Sequence, residues 1–334
     1  MYRIIVTVMI SLSLLANLLP ELARRPLTRP KIKVQLQPTS ERLIGVDPQT
    51  GEPIYQPDPE AKVRIDHRTG HVVYTWKGFD GKIKTIVFEP PIKLEVIVKG
   101  VVRFDAAEKR YRYIYELTNL PTSEQKLVDF IVLTEADLEG VTKPDEHWWS
   151  KPLQPTRIPL FQSKKGWWWA DVKYGREGIK PGQSEKGFSF ESEGLPGIVN
   201  CYAQGYVPPL RGVGEEPPAE IMESIEKLPR YLYGRTVGPV DIHSVSLETL
   251  LGNLLTMIDE SLRWGWIADT ETVDFFKSEL KETARLLKMG DKSAAERVLS
   301  EVINDAERLR EKKLTSEAYA ILKFNAEHIK RALE

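Results

Sequence analysis

The spacing of apolar residues changes once along this chain, and the change divides it into two kinds of structure. Up to about residue 206, aromatic and branched side chains recur at every second position, as in Tyr111, Tyr113 and Tyr115. From Ser246 onward they recur at steps of three and four. Period two predicts half-buried strands, and a period near 3.6 predicts helices. The sequence therefore predicts a multidomain protein, all-β in its first part and all-α in its last.

The β part is expected to be a sandwich over residues 24–206. Short alternating runs are separated by explicit turn sequences, including two of the form Asp-x-x-Thr-Gly at Asp47–Gly51 and Asp66–Gly70. The Asp side chain can bond the backbone ahead of it, and Gly can take a positive φ. A third hairpin turn is predicted at Phe79–Lys82 through Asp-Gly. Many short strands with frequent turns are typical of a sandwich.

Residues 207–245 are predicted to be a linker. Four prolines stand as Pro208-Pro209 and Pro217-Pro218, and glycines are interspersed among them and the prolines that follow. Such a composition opposes long regular elements, so at most one short helix is expected, at Ala219–Lys227.

The last segment, 246–334, is expected to form four helices in a small antiparallel bundle. Ser246 caps Leu247–Arg263, and Thr270 precedes the second helix. Asp291 and Thr315 cap the third and fourth. Each helix carries its apolar residues on one face, and connections of a few residues make neighbouring helices antiparallel.

Two stretches resemble known families. Arg263–Ile267 followed by Leu280–Asp291 is similar to the FIMAH domain, a helical module at the C-terminus of many secreted bacterial proteins. Tyr113–Gln125 and Ile179–Ser184 resemble strand–turn–strand segments of immunoglobulin-like secreted bacterial domains. The resemblances imply an extracellular bacterial protein with an immunoglobulin-like sandwich and a helical appendage that carries no known chemistry.

The first residues, 1–23, are predicted to be a secretory signal peptide. Arg3 precedes Ile4–Leu19, which carries no charge and is mostly aliphatic, and Pro20 and Glu21 end the run. This is the pattern of a signal sequence, with cleavage expected between Asn17 and Arg24. The alternative is an uncleaved signal anchor, the one way in which a membrane is expected to be a partner. The predicted location is secreted or in the cell envelope.

Charge and cysteine content narrow the possible partners and cross-links. The 47 Lys and Arg residues are balanced by 48 Asp and Glu, for a net charge of -1. Without a basic excess to neutralise phosphates, nucleic acid is not expected as a partner. Cys201 is the only cysteine, so no disulfide can form within the chain, and a buried, inert thiol is expected.

No arrangement typical of catalysis is present in the sequence. It lacks the usual metalloprotease, phosphate-binding and dinucleotide-binding motifs. His67 and His71 bracket a hairpin, but two imidazoles without a third ligand make a poor metal site. We therefore predict no catalytic residues, no metal and no cofactor.

The unusual feature of the β part is a tryptophan cluster. Five of the eight tryptophans fall between positions 148 and 169: Trp148, Trp149, Trp167, Trp168 and Trp169. In a strand, Trp167 and Trp169 share one face and Trp168 lies on the other. The cluster can be core under the long loop that precedes it, or it can be a platform on which a sugar or peptide stacks. These five are the candidate ligand-binding residues.

Two functions are consistent with the sequence. One is a secreted or cell-surface, non-catalytic protein with a binding, adhesion or structural role. Its expected partner is an extracellular polymer (a glycan or cell-envelope component) or another surface protein. The alternative is a carbohydrate-active enzyme or a glycan-binding accessory subunit. A deep cleft with two converging carboxylates would favour the enzyme.

Overall fold

The computed structural model describes residues 24–33, 41–57, 61–153, 159–173, 177–209, 214–242 and 245–334. The predicted signal peptide, 1–23, lies outside them, so it stays a prediction. The described residues contain fourteen strands and five α-helices. The strands are β1 Glu41–Val46, β2 Pro53–Pro57, β3 Lys62–Ile65, β4 Val72–Lys77, β5 Ile83–Phe88, β6 Val96–Asp105, β7 Arg110–Asn119, β8 Leu127–Leu133, β9 Glu139–Thr142, β10 Trp148–Pro152, β11 Gly166–Asp171, β12 Gln183–Ser192, β13 Leu195–Gly205 and β14 Leu232–Val240. The helices are α1 Ala219–Glu226, α2 Leu247–Arg263, α3 Thr270–Lys288, α4 Lys292–Leu309 and α5 Ser316–Arg331, and Pro159–Phe161 forms one 3-10 turn.

The chain forms two compact units. One, the β unit, comprises residues 26–194 and 198–241. The other, the helical unit, comprises 242–334 together with 195–197 and the described residues 24 and 25. The predicted order of antiparallel sheets followed by helices is confirmed.

Two antiparallel sheets make the larger core of the β unit. One has the strand order β10-β11-β8-β13-β14, and the other has β6-β7-β12-β9. Their facing sides meet through aromatic rings. Tyr115 on β7 lies 5.6 Å from Phe130 on β8, and Phe188 on β12 lies 4.9 Å from Trp148 on β10, measured between ring centroids. The two sheets are therefore packed face to face.

A smaller core lies on the three-stranded sheet β3-β4-β5. Tyr74 and Trp76 of β4 are buried against Ile221 and Ile225 of α1. The three predicted hairpin turns are confirmed, because the side chains of Asp47, Asp66 and Asp80 each accept a hydrogen bond from the backbone N–H two residues ahead. The closing glycine of each has a positive φ.

The predicted linker contains more structure than the sequence indicated. The short helix is present as α1, but the nine-residue strand β14 follows it, so the expectation of at most one short helix is wrong there. Gly234 and Gly238 do not break this strand. A Cβ at Gly234 would lie 2.4 Å from Cδ2 of Leu27, and one at Gly238 2.5 Å from Cγ2 of Val199. These glycines instead allow close packing of neighbours against the strand.

The helical unit follows the predicted boundaries closely. Ser246 and Asp291 cap α2 and α4 by accepting hydrogen bonds from Thr249 N and Ala294 N, as predicted. The sequence placed Thr270 before the second helix. In the structure, Thr270 is the first residue of α3, and Asp269 is its N-cap. Thr315 occupies the N-cap position of α5 but makes no side-chain cap bond.

Cys201 is fully buried, and burial raises the pKa of its thiol far above the usual range. The inert thiol expected from the sequence is thus found in the core. Among the residues that the structure describes, no helix is both long and apolar enough to span a bilayer.

Candidate functional site

The register of the five-stranded sheet separates the tryptophans onto two faces. Trp169 lies opposite Ser150 on β10 and Phe130 on β8. Trp168 lies opposite Lys151 and Ile131, one position along. We call the face that carries Trp169 the inner face, because it packs on the four-stranded sheet, and the opposite face the outer face. The predicted alternation is confirmed in β11.

Trp148 and Trp169 are core residues of the inner face. Their exposed fractions are 2% and 0%. The indole N–H of Trp169 donates to Thr142 O at 2.9 Å, and that of Trp148 donates to Glu185 Oε1 at 3.0 Å. Both side chains are therefore buried in the core and cannot contact a ligand in the folded protein.

Trp167 also lies on the inner face, but nearer its end. It is half-buried and lies opposite Pro152 and Val132. Its Nε1 atom is buried without a hydrogen-bond partner among the described residues. It shares no face with Trp168, so these neighbours cannot form one flat platform.

The outer face brings Trp149 and Trp168 together. Their ring centroids lie 5.0 Å apart, with the planes inclined at 61°. Lys151 Nζ lies 4.8 Å from the centroid of Trp149 and 4.9 Å from that of Trp168. Both indoles are half-buried and Lys151 is exposed. A cation over two indole rings stabilises this arrangement electrostatically. We call Trp149, Lys151, Trp168 and Asp129 the outer tryptophan site.

Trp168 rests on a small apolar cluster that fixes its position. Ile131 and Leu133 of β8 are buried there against Phe161 from the 3-10 turn, and Trp168 packs on this cluster. Tyr231 closes it, with its ring 5.0 Å from that of Phe161. The half of the outer face beyond Trp168 is thus covered, whereas Trp149 and Trp168 lie at its margin.

At this site, Asp129 supplies a carboxyl group whose pKa is far above its ordinary value. It lies opposite Ala170 on β11 and Gln204 on β13. Burial raises the pKa of Asp129 to about 7, the Trp168 indole N–H lowers it in part, and the charge of Asp171 raises it further. The Trp168 nitrogen makes no hydrogen bond of ordinary geometry among the described residues. Asp129 therefore changes charge near neutral pH at a partly apolar surface.

We expect the pKa of Asp129 to appear as a pH-dependent stability. Because the folded-state pKa is raised from 3.8 to about 7, the protein loses stability as the pH rises from about 4 through 7, and the loss is complete above 7. We expect the total loss of unfolding free energy to be about 1–3 kcal/mol. This is less than the ~4 kcal/mol that corresponds to a pKa difference of about three, because Asp129 is partly exposed.

Denaturant unfolding of the wild type and Asp129→Asn between pH 4 and 8 measures this effect. The variant should be the more stable protein at pH 8 and should approach the wild type at pH 4. Equal pH profiles for the two proteins would contradict the raised pKa of Asp129.

The histidines do not assemble a metal site in the described part of the chain. No group of three or more His, Cys, Asp and Glu side chains is placed there to hold an ion. His147, next to the tryptophans, pairs through Nε2 with Glu177 Oε2 at 3.1 Å. It thus contributes to the rim of the sheet.

Comparisons with known proteins add little. No family model matches the sequence, and no curated protein matches it. One similar solved structure is an uncharacterized protein from Nocardia farcinica described as having an immunoglobulin-like fold. It is 14% identical, with a TM-score of 0.23, over 43% of this chain and 96% of that one. A match of this quality does not establish a shared fold.

Proposed function

We propose that this is a secreted or cell-surface, non-catalytic protein that binds an extracellular polymer, a glycan or another cell-envelope component, at the outer tryptophan site. The observation that carries the proposal is the pair of half-exposed indoles, Trp149 and Trp168, held 5.0 Å apart beside Lys151. Flat rings contribute apolar contact to a sugar ring, and the ammonium and carboxyl groups beside them can hydrogen-bond its hydroxyls.

The inclination of the rings favours one form of polymer. Planes at 61° present two surfaces at an angle rather than one strip. A single chain can turn around such a pair, whereas a flat crystalline surface contacts only one ring. Lys151 lies over both rings, so a ligand that stacks there displaces its ammonium group or hydrogen-bonds to it. A soluble or swollen glycan chain is therefore the preferred ligand.

The architecture belongs to the same proposal. We infer that the two facing sheets are an immunoglobulin-like sandwich and that α2–α5 are a FIMAH-like module. Support for the module comes from its four helices, which lie within a few residues of the predicted positions and include α2 at the predicted Leu247–Arg263. Such modules accompany exported proteins, which agrees with the predicted signal peptide at 1–23.

A carbohydrate-active enzyme is the second candidate, favoured by the raised pKa of Asp129, since a general acid needs such a pKa. Glycoside hydrolysis also needs a second carboxylate about 5–9.5 Å away. The charge of Asp171 acts on Asp129, but its carboxylate oxygens accept hydrogen bonds from the backbone N–H groups of Lys173, Glu177 and Gly178. That carboxylate is occupied in fixing a loop, which favours binding over hydrolysis.

Polymer pull-down tests the proposal. The protein lacking residues 1–23 is incubated with peptidoglycan sacculi, chitin, xylan and cellulose. We expect retention on at least one, and Trp149→Ala and Trp168→Ala should each weaken it at least tenfold while the fold is retained. Trp264→Ala removes a half-buried indole from the helical unit and should bind like the wild type.

Two results would contradict the proposal. One is retention on none of the polymers. The other is a loss in Trp264→Ala as large as in Trp168→Ala. Release of soluble sugar by the wild type but not by Asp129→Asn would instead favour the enzyme.

A further inference from the structure

A cleft of about 470 Å³ lies in the β unit, and it shares no residue with the outer tryptophan site. Four segments form it: residues 29–32 before β1, the end of β3 with the turn that follows it, the segment between β5 and β6, and Glu124 between β7 and β8. Its volume is that of a small-molecule site. No sequence motif marks this cleft, because the residues that line it are far apart along the chain.

The cleft is strongly basic. Among the residues that the structure describes, its lining includes Arg29, Lys31, Arg68 and Lys93 against one carboxylate, that of Glu124. Four cations against one anion leave an excess of three positive charges in a protein whose net charge is -1. Like charges gathered in a concave surface raise the local concentration of counter-ions.

Two of the basic groups are fixed in place by neighbours. Lys93 is 8% exposed, and its Nζ lies 3.1 Å from Glu124 Oε2. Arg29 is exposed, and one of its Nη atoms donates to Leu94 O at 3.3 Å. These contacts hold cationic groups at the wall of the cleft before any ligand binds.

Lys31 and Arg68 lie with Arg29 at the exposed rim of the cleft. Both are exposed, and Arg68 lies close enough to Asp66 for their charges to interact. Arg68 contributes to its turn through its backbone N–H, which donates to Asp66 Oδ1 at 2.9 Å. Gly70 N donates to Asp66 O at 2.7 Å and closes the turn. Substituting the side chain of Arg68 should therefore leave the turn intact.

The lining also contains apolar surface and a hydroxyl group. Ile32, Ile65 and the buried Ile92 contribute the apolar part, and Thr69 contributes the hydroxyl. We propose that this cleft binds a small ligand with an oxyanion (a carboxylate, phosphate or sulfate group) on a body about the size of one sugar ring. The guanidinium groups match the planar or tetrahedral oxyanion, and the isoleucines contact the body of the ligand.

Calorimetric titration of the intact protein at low ionic strength tests this proposal. The probes are sodium glucuronate, glucose 6-phosphate and inorganic sulfate, with neutral glucose as the uncharged control. We expect at least one anion to bind and glucose not to bind, with affinity falling as salt is added. Glucuronate and glucose 6-phosphate distinguish carboxylate from phosphate as the preferred group.

Matched variants locate the site. Arg68→Ala and Lys31→Ala each should weaken anion binding at least tenfold. Lys62→Ala removes the same charge from an exposed position on β3 outside the lining, and it should bind like the wild type. Circular dichroism melts identify any variant that has lost its fold. Failure of every anion to bind would overturn the proposal, as would an equal loss in Lys62→Ala.

Discussion

Replacing Trp169 with Ala should lower the free energy of unfolding of the β unit by about 3–5 kcal/mol. The indole of Trp169 lies between two rings, stacked on Phe130 at 5.6 Å and on Phe190 at 5.9 Å. Tyr115 and Phe188 meet it edge-on. Truncation would leave a cavity between the two facing sheets, where the surrounding strands can relax only in part. Chemical denaturation followed by tryptophan fluorescence and circular dichroism measures the loss.

Two further variants separate the ring from its hydrogen bond. Trp169→Phe keeps an aromatic ring but leaves Thr142 O without the indole N–H that donates to it at 2.9 Å. Its cost should be smaller than that of the alanine variant and come mainly from the unpaired carbonyl, about 1–3 kcal/mol. Trp168→Ala, on the outer face, should cost clearly less than Trp169→Ala. Equal costs for Trp168→Ala and Trp169→Ala would contradict the assignment of inner and outer faces.

Features that depend on neighbours in sequence were the ones that the sequence predicted well. Ser246 and Asp291 cap their helices through hydrogen bonds to residues three positions ahead. The turns begun by Asp47 and Asp66 close within five residues. In each case one side chain and a few backbone atoms decide the structure, so no knowledge of distant contacts is needed.

Features that depend on distant contacts were missed. The segment that forms β14 was predicted to be a linker, because its glycines Gly234 and Gly238 suggested breaks in regular structure. In the structure, these glycines allow Leu27 and Val199 to pack closely against the strand. For the tryptophans, alternation predicted which share a face in β11, but it could not say which face is covered. That depends on the four-stranded sheet on one side and on Phe161 and Tyr231 on part of the other.

The other two residues of the outer tryptophan site, Lys151 and Asp129, could have been predicted from the sequence. Lys151 lies two positions after Trp149, so alternation alone places both on one face of β10. Asp129 is the only charged residue of β8, an otherwise apolar strand. A lone carboxylate in such a run is a signal for a perturbed group. Its link to Trp168 required the strand register.

We expect Arg24→Ala to destabilise the helical unit by about 3–5 kcal/mol, because it leaves a buried carboxylate without its guanidinium partner. Glu317, near the start of α5, is fully buried. Arg24 Nε lies 3.1 Å from its Oε1, and an Nη atom lies 3.2 Å from its Oε2. A further bond from Arg24 reaches Ser316 Oγ at 3.2 Å. A buried pair of this geometry tolerates loss of both charges far better than loss of one.

The measurement is the loss of helical circular dichroism at 222 nm on heating and in denaturant, with Arg25→Ala as the control because Arg25 is an exposed neighbour of the same type. Arg25→Ala should melt like the wild type, and the double variant Arg24→Met, Glu317→Leu should recover much of the lost stability.

The ion pair of Arg24 and Glu317 also bears on export. The pair can form only if the expected cleavage between Asn17 and Arg24 leaves Arg24 on the mature chain. A fragment of residues 245–334 should accordingly be less stable than the same unit in the intact protein, and Glu317→Leu should improve it. If Arg24→Ala and Arg25→Ala unfold alike, the stability of the helical unit does not depend on the pairing of Glu317 with Arg24.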